Sequence, residues 1–264
     1  AGKSTTLRML IGLVQPDRGS VEVLGHRMPE QQDVAKRHVG FVYDDLGLYD
    51  RATLGWHIDF VRSMFGSSNT AGPWDTAYAE QLLRRFDLHL AQKVGRMSRG
   101  QRVKAALLLA LARRPKLLIL DEPTAGLDPI ARREVLTALT DVLEDSERTV
   151  LFSSQNTLDI EQISDQITFI DRGRVVTSAD KESLLEDWRA LRVRVPPGAT
   201  LPAIPGVTRD GGSERIARLT AQPFEPAIVQ ELETAGVHVE AVERMTLEEI
   251  FVACVMRQRV GVEA

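Results

Sequence analysis

The residues with chemistry to offer begin at the first positions of the chain. Gly2, Lys3 and Ser4 precede a helical pattern and match the closing half of G-x-x-x-x-G-K-[ST], a loop whose backbone amides cradle phosphates. In such a loop Lys3 reaches the outer phosphates as a cation and Ser4 ligates Mg²⁺. A helix starting near Ser4, with Thr5 in its first turn, aims its free amides at the same anions. A lone Gly-Lys-Ser recurs by chance, so a second element has to support it. "LLILDEPTAGLDP" (117–129) does so by placing two adjacent acids, Asp121 and Glu122, at the end of a continuous apolar run. Neighbouring residues on a strand point to opposite sides. One acid can then hold a hard cation, and the other can orient or deprotonate an attacking water.

The elements that must position these groups are readable from apolar periodicity. Leu7, Leu10, Ile11 and Val14 make a core-facing helical stripe that Pro16 ends. "GSVEVLG" (19–25) and "VGFV" (39–42) read as short strands. Residues 51–90 read as helical, interrupted by "GSSNTAGP" (66–73). "LLIL" (117–120) and "TVLFSS" (149–154) have the unbroken apolar character of parallel strands buried on both faces. "QITFIDRGRVVTS" (166–178) reads as a hairpin. Strands alternating with helices predict an α/β sheet, with ligands at the carboxyl ends of its strands.

After about Asp187 the composition changes. "RVPPGATLPAIPGVTRDGGS" (194–213) is rich in Pro and Gly, and strand-like "RIARLTA", a helix over 225–235, strand-like "VHVEAV" and a helix over 247–258 follow it. The expected organisation is a first domain over 1–185 and a small α+β domain over 186–264. The chain of 264 residues has 33 basic and 37 acidic side chains, a net charge of −4, which gives no reason to expect a nucleic-acid partner. A single cysteine, Cys254, rules out an internal disulfide framework and suggests a reducing compartment. The longest notable apolar run, Ala105 to Ala112, is far shorter than the roughly 20 residues of a membrane span.

Read together, these motifs resemble the nucleotide-binding domain of ABC transporters. "AGKSTTL" matches the end of the Walker A loop, and "MSRGQRVKAALLLALARRPKLLILDEPTAGLDP" (97–129) matches the family signature running into Walker B and the D-loop. "TLEEIF" (246–251) is similar to the C-terminal extension of the drug- and polysaccharide-export branch. The resemblance implies a P-loop NTPase sheet with a helical signature subdomain, ATP and Mg²⁺ as cofactors, and hydrolysis of ATP. It implies that Ser98, Gly100 and Gln101 meet the γ-phosphate of ATP bound by a second nucleotide-binding domain, in a homo- or heterodimer. Asp128, in the D-loop, would lie at that dimer interface. It also implies an integral membrane permease as partner and a cytoplasmic location on the inner face of the cell membrane. From residues alone, Ser98 and Asp128–Pro129 read equally well as helix caps, and Gly100 as a position freed of bulk beside an anion.

Three departures from the family pattern qualify the resemblance. The head of the Walker A loop would precede Ala1 and no initiating Met is present, so the chain reads as a fragment with its first strands and adenine-stacking aromatic upstream. Asp44 stands where the family carries Gln or Glu as a Mg²⁺ contact; it is shorter and charged, but can still bind a hard cation. Gln155 stands where the family has His after paired serines, so it can donate a hydrogen bond to a γ-phosphate but carry no proton or charge. Glu122 with Gln155 is therefore the expected catalytic pair, and hydrolysis is expected to be slow. Two other readings stay open: a regulatory subunit that binds ATP without turning it over, and a soluble ABC-type factor acting on ribosomes or DNA.

Overall fold

The computed structural model describes residues 2–65, 74–144, 147–213 and 215–262. The interruption expected at 66–73 lies outside the described residues. The chain separates into two compact units, dividing after Asp159.

The first unit opens with helix α1 (Lys3–Leu10), followed by a two-stranded antiparallel pair, β1 (Val21–Val23) and β2 (His26–Met28), of which only the first strand was legible in the sequence. A short helix α2 (Gln32–Ala35) leads to strand β3 (Val39–Val42). Helices α3 (Leu54–Phe65), α4 (Thr76–Arg85) and α5 (Arg99–Leu111) follow, then strand β4 (Leu117–Asp121), helix α6 (Pro129–Leu143) and strand β5 (Thr149–Ser153); the two units divide within the next helix, α7 (Thr157–Ile163). Strands β3, β4 and β5 form a parallel sheet with β4 in the centre, in a register that sets Asp121 opposite Ser153. Parallel pairing buries a central strand on both sides, which is why "LLIL" carries no alternation: Leu118, Ile119 and Leu120 are almost fully enclosed.

The α1 stripe ends earlier than its spacing predicts. Gly12 adopts a left-handed φ of 72°, so Leu13 and Val14 leave the helix and are 53% and 38% exposed. Leu7 and Ile11 still reach the core, where they pack with Val23, Met28, Ala35, Val39 and Ile119. Helix α5 is apolar almost all round because it is central, packed against α3, α4, α6 and β3. Its buried Lys104 is neutralised by Glu134 of α6 at 2.5 Å.

The second unit holds the hairpin β6 (Gln166–Asp171) and β7 (Arg174–Asp180), helix α8 (Lys181–Asp187), strands β8 (Arg189–Arg194), β9 (Val207–Gly212) and β10 (Ile216–Ala221), helix α9 (Pro226–Thr234), strand β11 (His238–Arg244) and helix α10 (Leu247–Val262). The four-stranded antiparallel sheet runs β11-β8-β10-β9. Strands β8 and β9 escape a sequence reading because β8 runs into the Pro- and Gly-rich stretch and β9 lies within it, and that composition signals loop. The hairpin groups with this unit, whereas the compositional boundary at 185 would leave it with the first. The reason is a shared core: Ile167 and Phe169 of the hairpin and Leu184 of α8 pack with Trp188, Met245, Leu247 and Ile250. Composition marks where the chain becomes loop-like; it does not mark which side chains share a core.

Candidate functional site

Lys3 is aimed by the first turn of α1. Gly2 occupies the N-cap with φ 106°, a conformation that favours glycine, and its carbonyl accepts from both the amide and the hydroxyl of Thr6. Ser4 is half-buried in that turn and Thr5 is exposed. Lys3 Nζ lies 3.0 Å from Glu122 Oε1 and donates to the Ser154 carbonyl at 3.3 Å. The helix that follows the phosphate loop is thereby brought against the ends of β4 and β5, well over a hundred residues away in the chain.

Asp121 and Glu122 sit at the carboxyl end of β4 and do diverge. Asp121 is buried, and its Oδ1 accepts from the Ser153 hydroxyl at 2.7 Å, the contact that the β4–β5 register dictates. Glu122 leaves the strand with φ 50°, a left-handed value unusual for a side chain of its size. Its backbone N–H is held by the carbonyl and hydroxyl oxygens of Ser153. Its Oε2 accepts from the Gln155 backbone N–H at 3.0 Å. Oε1 is enclosed and has the Lys3 ammonium as its counter-charge, with no aligned hydrogen-bond donor. Glu122, Ser154 and Gln155 open onto a cavity of about 340 Å³ together with Asp44, Thr124, Arg132 and Asp159. The structure thus brings together Lys3, Asp121, Glu122, Gln155 and Asp44 at one end of the sheet.

Gln155 meets Glu122 through its backbone, not its side chain, so this link does not depend on the residue type. Asp44 has a different neighbour from the one its position suggested: its carboxylate lies 3.3 Å from Arg99 in the signature segment. Arg99 in turn donates through Nε to the Ala125 carbonyl at 2.6 Å. Both partners of the Asp44 pair are largely exposed, and such pairs contribute little to stability.

The signature segment is a reciprocal cap. Ser98 Oγ accepts from the Gln101 N–H at 3.2 Å, and Gln101 Oε1 accepts from the Ser98 N–H at 3.0 Å. Gln101 is thus already engaged within its own helix end. Gly100 has a reason that its motif did not reveal. A Cβ there would lie 2.8 Å from the Ala131 Cβ of α6, so glycine lets two helices approach. Gly100→Ala is expected to destabilise the protein by about 1–3 kcal/mol in denaturant unfolding; an unchanged midpoint would mean that the helices can part at no cost. Asp128 caps α6, and the amides of Ala131 and Ile130 hold its carboxyl below the usual carboxylate range.

Sequence reasoning missed Arg99, Thr124, Arg132, Ser153 and Asp159. Only Ser153 carried a local signal, as the first of the paired serines at a strand end. Among the described residues no cluster of three or more His, Cys, Asp or Glu side chains could hold a metal unaided. The hydroxyl of Ser4 and the carboxylate of Asp121 are nevertheless hard oxygen donors. They suit a cation whose remaining ligands come from phosphates and water, as Mg²⁺ prefers.

A sequence model of the family described as "ABC transporter" matches residues 1–125. The daunorubicin resistance ATP-binding protein DrrA3 of Streptomyces coeruleorubidus is 31% identical over 266 residues, covering 95% of this chain and 83% of that protein. The ABC transporter ATP-binding protein NatA of Bacillus subtilis (strain 168) is 31% identical over 193 residues, 72% of this chain and 77% of its own length. A solved ATP-binding subunit of an ABC transporter superposes with a TM-score of 0.59 at 27% identity, covering 69% of this chain and 75% of the other.

Proposed function

Because the chain belongs to the ATP-binding proteins of ABC transporters, an ATP-hydrolysing family, we propose that it drives export through a separate membrane permease. The observation that carries the ATP-driven part of this reading is the convergence of Lys3, Asp121 and Glu122 at the carboxyl ends of β4 and β5. There a cation for phosphate, a buried metal-binding carboxylate and a base stand within one site. Gly2, Lys3, Ser4 and Thr5 form the phosphate side. Ser4 and Asp121 would hold Mg²⁺ together with oxygens of phosphate and water, and Asp44 would join them only by giving up Arg99. When bound, Mg²⁺ neutralises charge on the outer phosphates.

Phosphates entering the site compete with Glu122 and the Ser154 carbonyl for the Lys3 ammonium. That exchange releases Glu122 to act on water. Ser98, Gly100 and Gln101, at the start of α5, would meet ATP bound by a second nucleotide-binding domain, Ser98 and Gln101 by exchanging their reciprocal cap for phosphate contacts, with Asp128 beside the shared interface. The export direction is favoured by DrrA3, a drug-resistance protein whose likeness extends over nearly the whole chain. In this reading 1–185 carry the nucleotide-binding function and 186–264 are the accessory domain of that branch, a functional boundary that falls later in the chain than the division between the two compact units.

The permease side is supported by the loop after β3 and the helix α3 that follows it. Tyr49, Trp56, Phe60 and Met64 are exposed, at 64%, 46%, 46% and 63%. Tyr49 meets Trp56 edge-on at 5.8 Å, and Trp56 stacks on Phe60 at 5.2 Å. With Arg51 and Ala52 three of these rings line an open hollow of about 480 Å³. Exposed aromatic patches of this kind mark interaction surfaces. The hollow is built rigidly: buried His57 accepts from the Tyr49 N–H at 3.0 Å through Nε2 and lies 2.8 Å from the Thr53 carbonyl through Nδ1. Among the described residues no helix is long and apolar enough to cross a membrane, so a location at the inner face of the membrane would depend on this contact. Substituting Leu48 and Tyr49 by Asp is expected to abolish co-purification with the permease while ATP affinity stays unchanged. Retained co-purification would place the permease elsewhere.

A further inference from the structure

Asp159 is the most deeply enclosed charged side chain among the described residues, at 1% exposure. Its Oδ2 accepts from the Thr124 hydroxyl at 2.6 Å and its Oδ1 from Arg132 Nε at 2.5 Å. The three residues come from three places. Thr124 lies in the turn that follows Glu122, Arg132 in the first turn of α6, and Asp159 in α7 just beyond Gln155. Taking a carboxylate out of water is costly, and pairing only offsets that cost. An apolar side chain would fill the same space at no such cost, so packing alone gives no reason for an acid here.

The position of these contacts supplies the reason. The loop leaving β5 is fastened at both ends to the turn leaving β4. At one end the Gln155 N–H donates to Glu122 Oε2. At the other, Asp159 grips Thr124 and Arg132. Between them, the Asp159 N–H donates to the Asn156 carbonyl at 3.2 Å and the Asn156 N–H to Ser154 Oγ at 3.0 Å, so the intervening loop has little slack. Glu122, Thr124, Arg132, Gln155 and Asp159 all face the same cavity.

We propose that Asp159 is a positioning residue for ATP hydrolysis: through Thr124 and Arg132 it holds the Gln155 loop against the turn that carries Glu122. It touches no reacting atom and acts through Gln155 and Glu122. The proposal rests on Glu122 being the base, and it accounts for a buried charge that the phosphate cradle of α1 does not use.

The test is steady-state phosphate release by purified full-length protein, with thermal midpoints measured in parallel. Asp159→Asn keeps the shape but weakens the grip. Thr124→Val removes one donor, leaves the Arg132–Asp159 pair intact, and carries the test should Asp159→Asn not fold. Each is expected to lower kcat by about 10- to 100-fold, the cost typical of a small misplacement away from the chemistry, with KM for MgATP moving less than about twofold. Thr124→Ser should recover most of what Thr124→Val loses. Combined with Glu122→Gln, Asp159→Asn should add little further loss, because a loop that acts by placing the base has nothing left to place once the base is gone. Losses that multiply, or a lowered midpoint with kcat intact, overturn the positioning role. A Glu122→Gln control separates the premise: turnover unchanged there refutes the base assignment and the proposal with it, whereas turnover lost there with kcat intact in Asp159→Asn and Thr124→Val refutes the proposal alone.

Discussion

Glu122→Gln is expected to reduce steady-state phosphate release by about 10²–10⁴-fold, the usual worth of general-base assistance, while ATP-bound protein accumulates. The geometry makes this a clean substitution. The amide oxygen of Gln can still accept from the Gln155 N–H, as Glu122 Oε2 does at 3.0 Å. The backbone of residue 122 keeps its left-handed φ of 50° in both proteins, so any strain there cancels. The Lys3 ammonium loses a charged partner at 3.0 Å, which if anything frees it for phosphate. Nucleotide affinity should therefore hold or rise as turnover falls. A wild-type rate in this variant would mean that the base lies elsewhere, and the role given to the end of β4 would fail.

Gln155→His is expected to act in the opposite direction, raising turnover by up to about 10²-fold, the scale on which one preorganised transition-state contact is usually felt. An imidazole can carry charge near the γ-phosphate, which an amide cannot. The structure explains why a gain is accessible by one change. The link from residue 155 to Glu122 runs through the backbone N–H, so replacing the side chain leaves the base where it is. The same pair of variants separates the two readings of this protein. A slow hydrolase loses activity with Glu122→Gln and gains with Gln155→His. A regulatory subunit has no intrinsic turnover to lose, and phosphate release appears only when a complete partner domain is added.

Much of the site was legible because its signals are local. The buried strand is written in the unbroken run 117–120, and the acids at its end follow directly. Ser98 with Gln101, and Asp128 with Pro129, are helix-start patterns spanning three or four residues, and the structure caps both helices as those patterns predict. Strands β8 and β9 were not legible, since Pro and Gly nearby outweigh a short strand signal. The grouping of the 166–180 hairpin with the C-terminal unit was hidden too, because a shared core is a fact about distant side chains.

The sharpest case is α7. Local apolar patterning would bury Leu158 and leave Asp159 in water. The structure leaves Leu158 64% exposed and Asp159 1% exposed. Spacing along a helix says which residues share a face, but the partners for that face come from elsewhere in the chain. Asp159 is buried because Thr124 and Arg132 are there to receive it, brought in by the pairing of β4 with β5. Gly100 is a glycine that makes room for Ala131 for the same kind of reason. The sequence by itself determined the family, the strand-end acids and the caps, since each is fixed by neighbours along the chain. The tertiary structure alone decided that Lys3 reaches Glu122, that Gln155 holds the base through its backbone, and that Asp44 rests on Arg99, since each depends on the sheet register and helix packing that bring remote residues within bonding distance.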